Sequence, residues 1–153
     1  MRGYFNGSDP TAGAAIANVM RDYRQEQKKK WREDNAVKER TKVYLASKYA
    51  GDTEKNTADA ILYARALIRR GFIPVVSHLM YPSMLSDDKP SERRLGLLFG
   101  QALLALCDEV WFVGEKDENG RIVLSEGMKA ELREAKRLKK DICFIDREVL
   151  ING

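Results

Sequence analysis

The sequence has one histidine and two cysteines in 153 residues. So small a supply of imidazole and thiol excludes a zinc site with the usual ligand spacing. Cys107 and Cys143 each lie inside an apolar segment and read as buried thiols. Long apolar runs are also missing: none approaches the ~20 residues that cross a bilayer. The opening MRGYFNGSDP lacks the apolar stretch of a signal peptide. There is no large excess of one charge either, because 27 Lys and Arg face 23 Asp and Glu for a formal net charge of +4. Such a mixed surface is solvated and does not call for nucleic acid. What remains is enough chain for one ordinary domain with a real core. The expectation is a cytoplasmic protein without metal or cofactor, and with neither membrane nor nucleic acid among its partners.

What is there changes character near residue 40. The first part, residues 1–40, reads as a helical arm. Asp9 followed by Pro10 makes a helix start, and Ile16, Met20, Tyr23 and Gln27 follow at helical spacing, with Trp31 extending that side. The helix then runs into KKKWREDNAVKER, almost wholly charged, with acidic residues interspersed among the basic ones. That mixture favours a helix packed on its own domain or on a partner subunit.

From residue 41 to 153 apolar runs alternate with helical patterns. KVYLAS, FIPVVS, DEVWFVG and DICFID read as strands. EKNTADAILYARALIRRG, SERRLGLLFGQALLALC and SEGMKAELREAKRLKK read as helices, and Asn119-Gly120 marks a turn. Strands that are apolar throughout and separated by helices indicate βαβ units and a buried parallel sheet. With right-handed crossovers the fold class is α/β, a Rossmann-like three-layer sandwich with a mainly parallel sheet. Such sheets bind ligands at the carboxyl ends of their strands.

One carboxylate is out of place in that pattern. With Met128 at zero and ~100° per helical residue, Leu132 falls at ~40°, Ala135 at ~340° and Leu138 at ~280°. Glu131 falls at ~300°, inside the apolar arc. Either it sits at the edge of the stripe and reaches water, or it is a half-buried carboxylate beside the strand ends, suited to act as nucleophile or general base. Ser125 caps the same helix, Gly127 leaves its first turn open to close approach, and the free N–H groups there suit a phosphate. The other strand ends add Tyr44, the loop SKYAGD with Ser47, Tyr49, Gly51 and Asp52 as a phosphate cradle, and His78. Asp108 opens its strand, on the wrong edge for this site, and reads as structural.

KVYLAS with its tyrosine, the histidine after the second strand, CDEVWFVG, and S-x-G-x-x-x-E with the helix that follows resemble the nucleoside 2-deoxyribosyltransferase superfamily, from about Lys42 to Asp146. The resemblance implies that Glu131 is the nucleophile that attacks the anomeric carbon and that Tyr44 orients it. It extends to phage and prophage proteins of unassigned function, through YxAS-Y-GD and SEGM-AE, and YFNGSDPTAGAAI resembles a segment of short phage proteins. Two departures qualify the substrate. Transferases of free nucleosides carry aspartate at the Ser125 position, whereas deoxynucleoside 5′-monophosphate N-glycosidases carry serine, which contacts phosphate. An aspartate would repel a phosphate and a hydroxyl donates to it. The aspartate that both groups place near the base is missing from SERRLGLLFGQALLALC, where its place falls at Gly100. Arg93, Arg94 and Gln101 are the ligand contacts this helix offers instead, and Asp87 and Asp88 the substitute acids. The expected partner is a nucleotide, with Ser47, Tyr49, Gly51, Asp52, His78, Arg93, Gln101, Ser125, Gly127 and Met128 around it and Glu131 and Tyr44 carrying the chemistry. Two uses stay open: cleavage or transfer at the N-glycosidic bond, or capture of a nucleotide immune signal by a phage-type protein without turnover. Relatives are commonly dimers or larger, which implies a homo-oligomer.

Overall fold

The computed structural model describes residues 10–153. The Asp9 cap and the first part of the phage-like stretch, residues 4–9, lie outside them. Two compact units result. In the first, helix α1 runs Pro10–Lys38. It is exposed along its length, and Ile16, Val19, Met20, Tyr23, Trp31 and Val37 all face solvent. Its charges pair locally, as in Lys29–Glu33 at 4.0 Å. Among the described residues no helix is long and apolar enough to cross a membrane.

The second unit, residues 40–153, is a parallel α/β sandwich. Its elements are β1 Lys42–Ala46, α2 Thr53–Arg69, β2 Ile73–Val75, a 3₁₀ turn Ser77–Leu79, α3 Pro90–Leu106, β3 Glu109–Gly114, α4 Glu126–Arg137, β4 Asp141–Asp146 and α5 Arg147–Asn152. The sheet order is β2-β1-β3-β4, every pair parallel. Side chains that alternate along β1 build two cores. Val43 and Leu45 pack with Ala60, Tyr63, Leu67 and Leu150 of α2 and α5. Tyr44 and Ala46 pack with Leu104, Met128 and Ala135 of α3 and α4. Three layers follow directly from strands that are apolar on both faces.

β2 is shorter than the six-residue strand that FIPVVS suggests. Pro74 has no N–H to give the ladder and stands opposite Val43 on the edge of the sheet. The chain then turns into the 3₁₀ segment at Ser77. α5 is an addition to the sequence-based elements. Asp146, read as the last residue of a strand, also caps this helix, its Oδ1 accepting from the N–H of Glu148 at 2.9 Å and of Val149 at 3.4 Å. Of the two thiols, Cys107 is buried and Cys143 only partly so, because β4 is an edge strand.

Asp108 holds the opposite end of the sheet. Its Oδ2 accepts from the Lys42 N–H at 2.9 Å, and its own N–H donates to Lys42 O. The chain leaves β1 for β2 on one side and returns past it to β3 on the other. That reversal opens a crevice at the carboxyl ends of β1 and β3.

Candidate functional site

β1 delivers Tyr44 and Ser47 to that crevice. Tyr44 is 1 % exposed, and its hydroxyl shares a hydrogen bond with Ser77 Oγ at 2.8 Å. α3 passes close by because residue 100 is glycine. A Cβ there would sit 3.3 Å from Tyr44 Oη and 3.5 Å from Ser77 Oγ, tighter than ordinary contact at the first. Gly100 thus lies directly against the Tyr44–Ser77 pair.

α4 brings Glu131. Ser125 starts this helix and its Oγ accepts from the Met128 N–H at 3.3 Å. Met128 and Ala135 are buried, and Leu132 and Leu138 pack against the same core. Glu131 shares that arc. Its Oε2 is buried and has no hydrogen-bond partner. Burial raises its carboxyl to about 7, and hydrogen bonding from Tyr44 pulls the other way. The Tyr44 phenol is in turn raised far above its ordinary range, chiefly by burial and then by the charge of Glu131. The two groups thus face each other in a desolvated place. A carboxylate with one oxygen unpartnered is a strong acceptor there, poised to take a proton or attack a cationic carbon.

The β1–α2 loop forms the next wall. Gly51 has φ +101°, a left-handed conformation that glycine adopts without strain. Asn56 pins the loop by donating to Tyr49 O at 2.9 Å and Ala50 O at 3.1 Å. Asp52 Oδ1 accepts from the Lys55 N–H, which occupies that carboxylate as the cap of α2. Tyr49 stacks on His78 with ring centroids 5.0 Å apart and planes 18° apart. His78 is lowered by burial, against a hydrogen bond to the Ser47 backbone and the charge of Asp87. Tyr49 is raised by burial and then by Asp87. Asp87, on the loop before α3, therefore acts on both rings.

The structure brings Tyr44 beside Glu131, and ties His78 to Ser47 and Tyr49. Gly127 and Ser125 stand at the start of the helix that carries Glu131. The six residues from Ser125 to Glu131 rise ~9 Å along the helix. Arg93 is exposed in the first turn of α3, and Gln101 is half-buried beside Gly100. Among the described residues no side-chain hydrogen bond or ion pair joins either to the Tyr44–Glu131 pair. Ser77 was absent from the sequence-based site. Its signal was its place at the end of a strand, equivalent to that of Ser47.

Ser47 and Met128 also line a cavity of about 260 Å³ whose other walls come from α2, α5 and the loop after β3. Glu131 and Tyr44 do not line it. The Ser47 Oγ is buried without a hydrogen-bond partner.

Residues 41–145 match the family described as "Domain of unknown function (DUF7768)". No curated protein matches the chain. Among solved structures, the 2-deoxyribosyltransferase from the psychrotolerant bacterium Bacillus psychrosaccharolyticus, described as a biocatalyst for nucleoside synthesis, superposes with a TM-score of 0.55 at 13% identity. The superposition covers 69% of this chain and 72% of that one. At that identity the likeness is one of fold, and it agrees with the parallel three-layer sandwich.

Proposed function

From the premise that the chain belongs to the DUF7768 family, we propose that it binds a phosphorylated nucleoside or an ADP-ribose-type nucleotide and breaks or transfers its N-glycosidic bond. The observation that carries this reading is Glu131, a carboxylate with a buried, unpartnered oxygen beside Tyr44 in the crevice at the strand ends. In the proposed reaction a Glu131 oxygen bonds to the anomeric carbon as the bond from that carbon to the base breaks. Tyr44, held by Ser77, orients the attacking carboxylate. The departing base takes a proton from solvent. Water, or a second base, then opens the glycosyl ester and frees Glu131. Ser125, Ser47, Gly51 and the first turn of α4 hold the ligand's phosphate groups, and His78 positions the sugar. The fold neighbour, named for transfer of deoxyribose, supports the reaction class. The test is to incubate the protein with a panel of nucleotides and chromatograph the mixture. Free base supports the reading; a panel with every nucleotide intact and unbound overturns it.

A second reading has its own observation. Where the resemblance expects an acid near the base, this chain has Gly100, which lies against the Tyr44–Ser77 pair. The same cradle would then capture a nucleotide signal, such as a cyclic ADP-ribose derivative or a cyclic oligonucleotide, as a phage-type anti-defence protein would. Nucleotide recovered intact only after heat denaturation distinguishes it.

The phosphate preference rests on Ser125. A hydroxyl at the helix start donates to phosphate, and the N–H groups of the first turn add to it. Calorimetry should show a nucleoside 5′-phosphate binding at least about tenfold better than the free nucleoside, and Ser125→Asp should erase most of that difference, because a carboxylate repels the phosphate. Equal affinities in the unsubstituted protein would remove the preference.

The arm belongs to this proposal as an appendage to the 41–153 domain. A chain beginning near Val37 should keep its helix and strand content by circular dichroism and melt cooperatively. Light scattering on both forms reads the proposed homo-oligomer and whether α1 contributes to it. An unfolded truncated chain would place α1 in the core.

A further inference from the structure

The cavity beside the crevice has charges that the reaction does not use. Four cations, Lys48, Lys55, Lys116 and Arg147, line it against two carboxylates, Asp59 and Glu115. Asp59 is already engaged twice, by Lys55 at 3.1 Å and by Arg147 at 3.3 Å. Arg147 is further fixed by its Nε donating to Tyr63 Oη at 2.9 Å. Lys48 and Lys116 are exposed and form no ion pair among the described residues. The lining also holds Ser47, 3 % exposed, whose Oγ is buried and without a partner. A buried hydroxyl left unsatisfied is costly, and here it stands beside an excess of positive charge.

We propose that this cavity takes a second anionic group of the same ligand, so that the preferred ligand is a nucleotide with a diphosphate and not a monophosphate. The inference rests on the nucleotide reading above and names its ligand class. The first phosphate lies at the start of α4, the second reaches past Ser47 and Met128, and the Ser47 hydroxyl donates to it. Lys48 and Lys116, which form no ion pair among the described residues, supply the charge, with Glu115 the one carboxylate of the lining not engaged by a cation there. Arg147 and Lys55, held by Asp59, form a preset floor. The 260 Å³ of space lies within reach of phosphate and sugar groups, whereas a monophosphate would leave it to water.

The experiment is calorimetry on the full chain with AMP, ADP and ADP-ribose, repeated on Lys48→Ala/Lys116→Ala and on Ser47→Ala. The two lysines are exposed, so the double variant should fold as the unsubstituted protein does. In the unsubstituted chain the two diphosphates should bind at least about tenfold more tightly than AMP. The double variant should bring them to the AMP level with AMP itself unchanged, and Ser47→Ala should weaken ADP more than AMP. Equal affinity for AMP and ADP in the unsubstituted protein overturns the inference and leaves the nucleotide site standing. A double variant that weakens AMP as much as ADP overturns it too, because the lysines then serve the first phosphate. Failure of all three nucleotides to bind overturns the nucleotide reading with it.

Discussion

Glu131→Gln should lower base release by at least about three orders of magnitude while the nucleotide still binds. Glutamine keeps the shape and the polarity of the side chain but cannot form the glycosyl ester. Nothing else in the crevice replaces it, since Tyr44 is held protonated by burial and by the neighbouring charge. If the protein captures its nucleotide without turnover, the same variant should instead change affinity, because a carboxylate that accepts from sugar hydroxyls contributes roughly 1.5–3 kcal/mol. Single-turnover base release and calorimetry on one variant separate the two. Unchanged behaviour in both would reduce Glu131 to a helix-edge residue.

The same substitution should stabilise the unliganded protein above neutral pH. Glu131 is raised from the ordinary 4.5 to about 7. Between those values the folded chain keeps a proton that the unfolded chain has released, so stability falls as pH rises through that window. Above pH 7 the full penalty applies, roughly 3 kcal/mol from 1.36 kcal/mol per pKa unit. Glutamine carries no such penalty. Melting temperatures of the two proteins should lie close together near pH 4 and diverge by several degrees by pH 8, with the variant the more stable. A constant difference across that range would mean that the carboxylate is solvated. A group that costs the fold stability and is nevertheless placed in the crevice fits a working residue better than a packing residue.

Much of this was legible in the residues. The apolar strands fixed a buried parallel sheet because only helices on both faces can cover them, and the ~300° position of Glu131 followed from helix geometry alone. Three features were not. The Tyr44–Ser77 hydrogen bond joins residues 33 apart and depends on how β1 and the 3₁₀ turn come together in space. Gly100 looked like an omission on α3, and its meaning appears only when the space above it is found to hold two hydroxyls. Arg147 belongs to a helix hidden behind a strand whose final aspartate does two tasks. Pro74 was visible, but its consequence, a three-residue β2, depends on the register that sets it on an edge.

The central claim is that a Glu131 oxygen bonds to the anomeric carbon of a bound nucleotide. A nucleoside 5′-phosphate fluorinated at C2′ slows release of such an ester, so intact-mass spectrometry of the protein after incubation reads the claim directly. The mass should rise by one fluorinated sugar phosphate, with the increment on the peptide that contains Glu131 and absent from Glu131→Gln. Base released from the natural nucleotide with no increment on the protein, or an increment on a peptide without Glu131, would contradict it.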